Sequence, residues 1–347
     1  TTFAIGEGGL AESARIGVTA DAAPAIGEHI AVATGADNGY YEGSITSDAG
    51  GQYGILREGD EVNLYNGLPH KHLLCGTACS HGGETHTKIL TWTAISDLTK
   101  ITRAGYYYLT QDIETTNIWV PADGVVLCLN GHSIINTNHG YTIMVRKDYT
   151  FTLCDCKGGS AEYGRITHAE QADGTKYSGQ GVYAIGTFNM YGGSISGNVS
   201  QHSSGVLLDN GANSGGKGTA FNMYGGEITG NKASATGDTR YGHGGGIYSE
   251  RGVTVKNVTI TGNNSTYEGG GIYGKGAIAL TDATVTDNNR YDVYYGGVEG
   301  TTSNSKLTVS GSVKAGYYAN YDWKLPILVS GALSEDSVIR VGVREGI

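Results

Sequence analysis

A run of histidine and cysteine residues between positions 70 and 86 is the densest group of metal-binding side chains in the chain. Thiolates and imidazoles are the ligands that Zn²⁺ prefers, and four of them can close a tetrahedral site. The spacing matches none of the standard zinc-finger patterns. The sequence therefore indicates a structural zinc whose ligands come from six candidates: His70, His72, Cys75, Cys79, His81 and His86.

Other interpretations of this run stay open. Cys75 and Cys79 could instead form a disulfide in a surface loop, or remain free thiols, with the histidines solvated around them. A catalytic metal is a third alternative, although so many ligands on one short loop leave little room for an open coordination position. In the metal interpretation, we expect the segment to fasten an N-terminal module to the rest of the chain.

Carboxylates farther along the chain could cleave a glycan if folding brings them together. A glycoside hydrolase needs two carboxyl groups, about 5–5.5 Å apart for retention of configuration or about 6.5–9.5 Å apart for inversion. A polysaccharide lyase needs carboxylates that hold Ca²⁺ and an arginine or lysine base. Ordinary solvated loop charge is the simpler explanation. The candidate catalytic residues are Asp238, Glu250 and Glu268.

A second set of side chains suits glycan binding without cleavage. Sugar rings pack their C–H faces on aromatic rings, while their hydroxyl groups bond to polar side chains. The simpler alternative is that tyrosine, threonine and asparagine serve as cross-strand partners that keep stacked strands in place. The candidate binding residues are Tyr191, Tyr224, Arg240, Tyr241, His243, Tyr248 and Tyr273.

An internal repeat must position these side chains. One motif occurs four times, as FNMYGGSISGN, FNMYGGEITGN, VTVKNVTITGN and IALTDATVTDN. The copies begin at Phe188, Phe221, Val253 and Ile278, which lie 33, 32 and 25 positions apart. A glycine-rich piece that reads GGGIY from Gly244 and again from Gly269 recurs between copies. A period of about 20–50 residues is typical of solenoids, propellers and arrays.

The pattern inside each copy selects a solenoid of strands. Apolar residues alternate, as in Phe188 and Met190, which predicts a strand with one buried face. A second strand follows, with Ile195 or its equivalent turned inward, and an asparagine such as Asn198 comes three residues later. Asparagine tolerates left-handed backbone conformations, and equivalent amides can stack as a ladder. The sequence predicts an all-β, right-handed parallel β-helix.

Three further cysteines fall in the first coils. Alignment with the later copies puts Cys156 on an inward position, where a thiol serves as a small buried apolar group. A bridge from Cys128 to Cys154 or Cys156 is an alternative. A redox pair of Cys154 and Cys156 is disfavoured, because no helix N-terminus lies nearby to lower a thiol pKa.

The repeated GGGIY…ITGN pattern resembles the β-helix repeats of large surface or secreted proteins from Gram-positive gut bacteria. It is also broadly similar to pectate-lyase-like β-helices. The resemblance covers roughly residues 105–345 and implies the fold, whereas lyases, glycosidases, adhesins and passive stalks all share this architecture. We expect a small β-rich module at 1–68, a His/Cys-rich junction at 69–90 and the β-helix at 91–347.

Composition narrows the function. The chain carries a net charge of −10 and no basic cluster, which disfavours nucleic acid and, more mildly, anionic glycans. It has no apolar run long enough to span a membrane. The sequence favours a monomeric, extracellular or cell-surface bacterial protein that works in adhesion or glycan binding, with a glycan or glycoprotein as partner. The alternative is a glycan-cleaving hydrolase or lyase.

Overall fold

The structure is a computed structural model in which the described residues form many strands joined by turns, bends and irregular segments. Among the described residues, a 3₁₀ turn covers Leu98–Lys100. The all-β prediction is therefore confirmed. The described residues are 3–5, 16–18, 29–35, 45–47, 53–58, 61–66, 70–74, 79–81, 84–86, 89–157, 163–209, 220–235, 241–296, 307–319 and 327–342.

The N-terminal strands form small sheets of their own. A four-stranded sheet has the order Phe3–Ile5, His29–Gly35, Glu61–Asn66 and Tyr53–Glu58. Ile16–Val18 pairs separately with Ile45–Ser47. The four-stranded sheet buries Val32, Ala33, Val62 and Leu64, so this region has an apolar cluster of its own.

Two short pairings follow in the junction segment. Cys79–His81 pairs antiparallel with Glu84–His86. His70–Leu73 pairs antiparallel with Ile89–Ile95, which is itself parallel to Gly105–Leu109. The junction is thereby hydrogen-bonded directly to the first strand of the solenoid.

The solenoid consists of three parallel sheets that the chain visits in turn. The first sheet contains Ile89–Ile95, Gly105–Leu109, Val125–Cys128, Thr150–Cys154, the first part of Thr187–Ser196, the first part of Ala220–Thr229, Gly252–Lys256, Ile278–Thr281, Leu307–Gly311 and Leu328–Leu333. The second contains Ile113–Thr115, Ile134–Asn136, Arg165–His168, the last parts of Thr187–Ser196 and Ala220–Thr229, Thr259–Thr261, Thr284–Thr286, the first part of Lys314–Ala319 and Val338–Gly342.

The outer face of the third sheet is the candidate functional surface. Its strands are Ile118–Trp119, Ile143–Val145, Val182–Ala184, Val206–Leu208, Ile247–Ser249, Ile272–Gly274, Val293–Tyr295 and the last part of Lys314–Ala319. A short three-stranded ladder of Val199–Ser200, Lys232–Ala233 and Asn264–Ser265 accompanies the middle coils.

Equivalent residues of successive coils stack directly on one another in the interior. In the first sheet Phe151, Phe188 and Phe221 are register partners, with ring centroids 5.8 Å and then 4.9 Å apart. In the second sheet Ile195 is the partner of Ile228. The apolar residues that alternate in each repeat are buried, which confirms the predicted inward face.

The predicted asparagine ladder is present and buried. Asn198 donates from Nδ2 to Oδ1 of Asn231 at 2.9 Å, and Asn231 and Asn263 repeat the contact to the next coil at 3.0 Å. The same oxygen of Asn231 accepts the backbone N–H of Asn198. Each ladder amide also donates to two backbone carbonyls, so the ladder satisfies the polar groups at this buried corner.

The left-handed residue at this corner is not the asparagine, which corrects the conformational part of the prediction. The residue before each ladder asparagine has the positive φ: 66° at Gly197, 64° at Gly230, 66° at Gly262 and 58° at Asp287. Glycine has no Cβ penalty in this conformation. The asparagine is therefore required for its side-chain bonds, and the glycine before it makes the turn.

Charged or ionisable groups lie at both ends of the ladder. Asp292 accepts the N–H groups of Asn288 and, on its other oxygen, the backbone N–H of Gly316. At the opposite end, His168 Nδ1 lies 2.7 Å from Asn198 Oδ1, and its Nε2 lies 2.8 Å from the Gly140 carbonyl oxygen. Burial lowers the pKa of His168, although these two acceptors oppose that shift.

The predicted inward position of Cys156 is wrong. Cys128 and Cys154 are register partners on the outer face of the first sheet, where they pack with Trp92, Ala94 and Tyr108. Cys156 is partly exposed and packs against that outer cluster. All three are free thiols in this structure.

Replacing Asn231 with alanine should destabilise the protein by about 3 kcal/mol, because several buried donors and acceptors lose their partners at once. Chemical unfolding of the purified variant measures this. The matched control is Asn222→Ala, which removes a half-buried amide bonded only to Asn189 on the outer face and should cost under about 1 kcal/mol. Equal losses would contradict the structural role of the ladder.

Replacing His168 with asparagine should reduce the loss of stability on acidification. The pKa of His168 is lower in the folded chain than its ordinary value of 6.5, so the unfolded chain takes up the proton first as the pH falls. The stabilisation by neutral His168 is full above pH 6.5 and declines below it.

The measurement is the free energy of unfolding at pH 7.5 and pH 5 for both proteins. His139 is exposed, but its charge adds to the lowering of the His168 pKa, so His139→Asn should reduce the loss of stability on acidification only slightly. A His168→Asn variant that loses as much stability as the wild type would refute this account.

Candidate functional site

The outer face of the third sheet presents a continuous column of large side chains. We call it the third-sheet face. Pairwise register runs through Trp119, Met144, Tyr183, Leu207, Tyr248, Tyr273, Tyr294 and Tyr318. Because strands of a parallel sheet lie about 4.8 Å apart, the column offers one such side chain per coil at nearly constant spacing.

Tyrosine rings in the C-terminal part of the column stack face to face. Centroids lie 5.1 Å apart between Tyr248 and Tyr273, 5.4 Å between Tyr273 and Tyr294, and 5.3 Å between Tyr294 and Tyr318. The last three rings are buried. Their faces are occupied by one another, so only their edges can contribute to a binding surface.

Tyr291 packs against the last ring of this stack, that of Tyr318. Its ring lies 4.3 Å from that of Tyr318 and remains 42 % exposed. The backbone of Tyr291 has a φ of 73°, which is uncommon for a bulky residue and costs about 1–3 kcal/mol. The ring contact with Tyr318 offsets part of that cost.

A row of charged side chains, the polar row, follows the middle of the column, two residues after Met144, Leu207, Tyr248 and Tyr273 in the chain. Glu250 Oε1 accepts from Lys275 Nζ at 2.9 Å and from the Tyr248 hydroxyl at 3.2 Å. Burial disfavours the charged form of Lys275, but its bonds to Tyr248 and Glu250 outweigh burial and raise the pKa. In the preceding coils the Tyr183 hydroxyl donates to Asp209 at 2.8 Å, and Arg146 lies over the Trp119 ring.

Tyr273 lies within electrostatic range of both Glu268 and Glu250. Burial, with smaller contributions from these carboxylates, raises the pKa of Tyr273 to about 12. Its hydroxyl is therefore protonated at neutral pH and can donate a hydrogen bond but not act as a base. The His243 ring lies 4.6 Å from that of Tyr273 at a tilt of 39°, and its Nδ1 accepts the backbone N–H of Glu268.

The remaining predicted residues are placed as follows. Tyr191 and Tyr224 contact each other at 5.2 Å on strands of the first sheet, away from the third-sheet column. Tyr241 packs on His202. Asp238 and Arg240 lie outside the described residues.

A separate cluster on the first sheet could hold a metal. Within the described ranges, His72, Cys128 and Cys156 bring their donor atoms within 4.8 Å of one another. Burial lowers the pKa of His72 and raises that of Cys128. Of the six predicted ligands, His72 alone belongs to this group. Cys75 and the side chains of His70, Cys79, His81 and His86 lie outside what the structure describes.

Several residues of the third-sheet face and of the metal cluster were not predicted from the sequence. Trp119 and Tyr183 lie in early coils that lack the repeated motif, whereas Lys275 follows the second GGGIY piece and could have been aligned with Glu250. Cys128 and Cys156 were considered as a bridge, as apolar side chains or, for Cys156, as part of a redox pair, but not as metal ligands. The available signal was the in-register pair of Cys128 and Cys154 beside an odd cysteine.

Comparison of the chain with protein-family models, with curated proteins and with solved structures gave no match. The parallel β-solenoid therefore rests on the strand pairings, and the expected relation to surface proteins of gut bacteria stays a prediction. Within the residues described, no helix has the length and apolar character needed to cross a membrane.

Tyr294→Ala should destabilise the protein by about 3–5 kcal/mol, because it leaves a cavity in the buried tyrosine stack. Tyr291→Ala should cost about 1 kcal/mol or less, since that ring is largely exposed. Thermal and chemical unfolding of the two variants measure the difference. Comparable small losses in both would show that the stack is not a structural element.

Proposed function

We propose that this protein is an extracellular or cell-surface bacterial β-solenoid that binds neutral glycan chains in adhesion. The observation that supports this best is the in-register third-sheet face, with its aromatic column and adjoining polar row. The coil spacing is close to the length of one pyranose unit in an extended glycan. Successive sugars could therefore meet equivalent positions of successive coils.

Trp119 is the strongest candidate platform for a sugar ring. Its side chain is 49 % exposed, and the Arg146 guanidinium lies 4.7 Å from its ring centroid. An exposed tryptophan on a rigid strand loses little conformational freedom when a ligand packs against it. The buried rings farther along the column support the backbone that presents the polar row.

The polar row supplies the hydrogen-bonding chemistry that sugar hydroxyls need. Asp209 and Glu250 offer carboxylate acceptors, and Lys275 offers an ammonium donor. These groups are already held by Tyr183 and Tyr248, so their geometry is set before a ligand arrives. Preorganised polar groups bind with a smaller entropic cost.

Charge favours a neutral over an anionic ligand. The chain has a net charge of −10, and the polar row contains the carboxylates Asp209 and Glu250 beside Lys275. Lys275 and Arg146 balance these two carboxylates, so a uronic acid polymer would gain no net attraction from this face and would be repelled by the charge of the chain as a whole. Neutral plant, host or microbial oligosaccharides are the class that we expect to bind.

Glycan cleavage is the second candidate function. Glu250 and Glu268 both lie within electrostatic range of the Tyr273 hydroxyl, which brings two carboxylates to one part of the third-sheet face. Hydrolysis would require one carboxyl group to protonate the leaving oxygen while the other acts as base or nucleophile. Glu250 is held by Lys275, an arrangement that suits the ionised partner, which leaves Glu268 as the acid.

A panel of neutral oligosaccharides should reveal binding that depends on the third-sheet face. Trp119→Ala should weaken the best ligand about tenfold or more, because truncation of a central aromatic contact typically costs over 1 kcal/mol. Isothermal titration calorimetry with the purified chain measures this. Glu250→Gln should weaken binding to a smaller extent by removing an acceptor charge.

Tyr106→Ala is the matched control, since Tyr106 is 40 % exposed but lies on the first sheet. It should leave the affinity unchanged. Equal weakening by both aromatic variants, or an absence of binding to every neutral glycan, would contradict the proposal. Chromatography of the same mixtures tests cleavage: new oligosaccharides that disappear in Glu268→Gln would replace the binding function with the enzymatic one.

A further inference from the structure

We propose that His72, Cys128 and Cys156 form a zinc-class metal site that pins the junction strand to the outside of the solenoid. Their donor atoms all lie within 4.8 Å of one another. The three residues come from three segments: the junction strand His70–Leu73, the end of strand Val125–Cys128, and the residues just after Thr150–Cys154. A shared ion would link the junction strand to two segments that come more than fifty residues later in the sequence.

The imidazole of His72 is oriented for metal binding. Its Nδ1 lies 2.6 Å from the Leu73 carbonyl oxygen. A carbonyl can only accept, so Nδ1 carries the proton and Nε2 keeps its lone pair. Metal-ligating histidines commonly donate their other N–H to a carbonyl in this way, which fixes the tautomer and the ring orientation.

Trp92 holds the same ring in place. The two rings stack with centroids 4.2 Å apart and planes 13° apart. The indole Nε1 also donates to the His72 carbonyl oxygen at 3.3 Å. Trp92 itself is buried in the outer cluster with Cys128. The supporting contacts therefore position the imidazole over the cysteines before any ion binds.

The two thiols complete a donor set that discriminates among metals. Cys128 is fully buried, whereas Cys156 is partly exposed and donates from Sγ to Asn130 Oδ1 at 3.2 Å. Two thiolates and one neutral imidazole favour Zn²⁺ or a similar soft to borderline ion over Mg²⁺ or Ca²⁺. Both thiols release their protons to solvent on binding.

The distances indicate how far the site must contract. Zinc bonds of about 2.3 Å to sulfur and about 2.0 Å to nitrogen in a tetrahedron place ligand atoms roughly 3.5–3.8 Å apart. Donor atoms at up to 4.8 Å need to close by about 1 Å. The partly exposed Cys156 can supply that movement at the end of its strand. Three protein donors leave the fourth position to a solvent molecule.

This site is independent of the glycan face, because it lies on the outer side of the first sheet. It differs from the site predicted from sequence, whose ligands all lay between residues 70 and 86. It also competes with a disulfide between Cys128 and Cys156, which would consume both ligands. These alternatives define the experiment.

The test loads reduced, metal-free full-length protein with one equivalent of Zn²⁺, followed by desalting and metal analysis. Wild type should retain about one ion, whereas His72→Gln and Cys156→Ser should bind at least about a hundredfold more weakly. Co²⁺ in place of Zn²⁺ should give a thiolate-to-cobalt charge-transfer band that both variants lose. Zn²⁺ should also raise the unfolding temperature of the wild type alone.

Cys154→Ala and the pair Cys75→Ser/Cys79→Ser serve as controls, since both remove thiols but leave the three proposed ligands unchanged. Each should retain the ion, and circular dichroism of every variant checks that the solenoid has folded. Zinc that survives Cys156→Ser but is lost from the Cys75→Ser/Cys79→Ser protein would overturn the proposal. So would wild type that takes up no ion after reduction, whether or not it was isolated with a Cys128–Cys156 disulfide.

Discussion

Exact register between successive coils is the constraint on which the rest of this structure depends. Each strand hydrogen-bonds to the equivalent strand of the next coil, and a slip of one residue would turn its buried side chains outward. Asn198, Asn231 and Asn263 fix that register, because each amide reaches the same groups in the coil before it and the coil after it. Apolar stacking in the interior tolerates a small shift, whereas this polar contact does not.

The repeated glycines serve the same constraint by letting backbones approach. A Cβ at Gly270 would collide with the Asn289 carbonyl of the next coil, and one at Gly246 would press on Gly271. This explains why the GGGIY piece recurs ahead of the third-sheet strands. The tyrosine of each piece then falls on the outer column, so the turn and the aromatic stack are produced by one repeated segment.

Sequence periodicity predicted the solenoid and the ladder because both repeat with the chain. Residues 188–288 could be aligned copy against copy, and the inward positions of Phe188, Ile195 and Asn198 followed. The conformation of the corner was misassigned, since the glycine before the asparagine occurs in three copies and Asp287 replaces it in the fourth. The asparagine was expected both to adopt the left-handed conformation and to form the ladder, and only the second expectation was correct.

Both candidate sites depend on contacts that no repeat reveals. The metal cluster joins His72 to Cys128 and Cys156, and their proximity depends on the antiparallel pairing of the junction strand with Ile89–Ile95. The third-sheet face depends on the register of Trp119 and Met144, whose coils lack the motif. Spacing along the sequence could suggest the chemistry of these residues but not which of them meet.

The side-chain hydrogen bonds between the ladder asparagines all run in one direction, so the two ends of the ladder differ chemically. Every side-chain amide from Asn198 onward donates toward the C-terminal coil, and the row ends on the Asp292 carboxylate. Aligned amide dipoles favour an anion at the donating end and a proton donor at the accepting end. His168 lies at the accepting end, with an oxygen facing each ring nitrogen. A neutral imidazole can donate only one proton, so one of these contacts is unsatisfied unless His168 is protonated. Burial disfavours that protonation, and the N-terminal end of the ladder is therefore the part of the corner at which stability depends on pH.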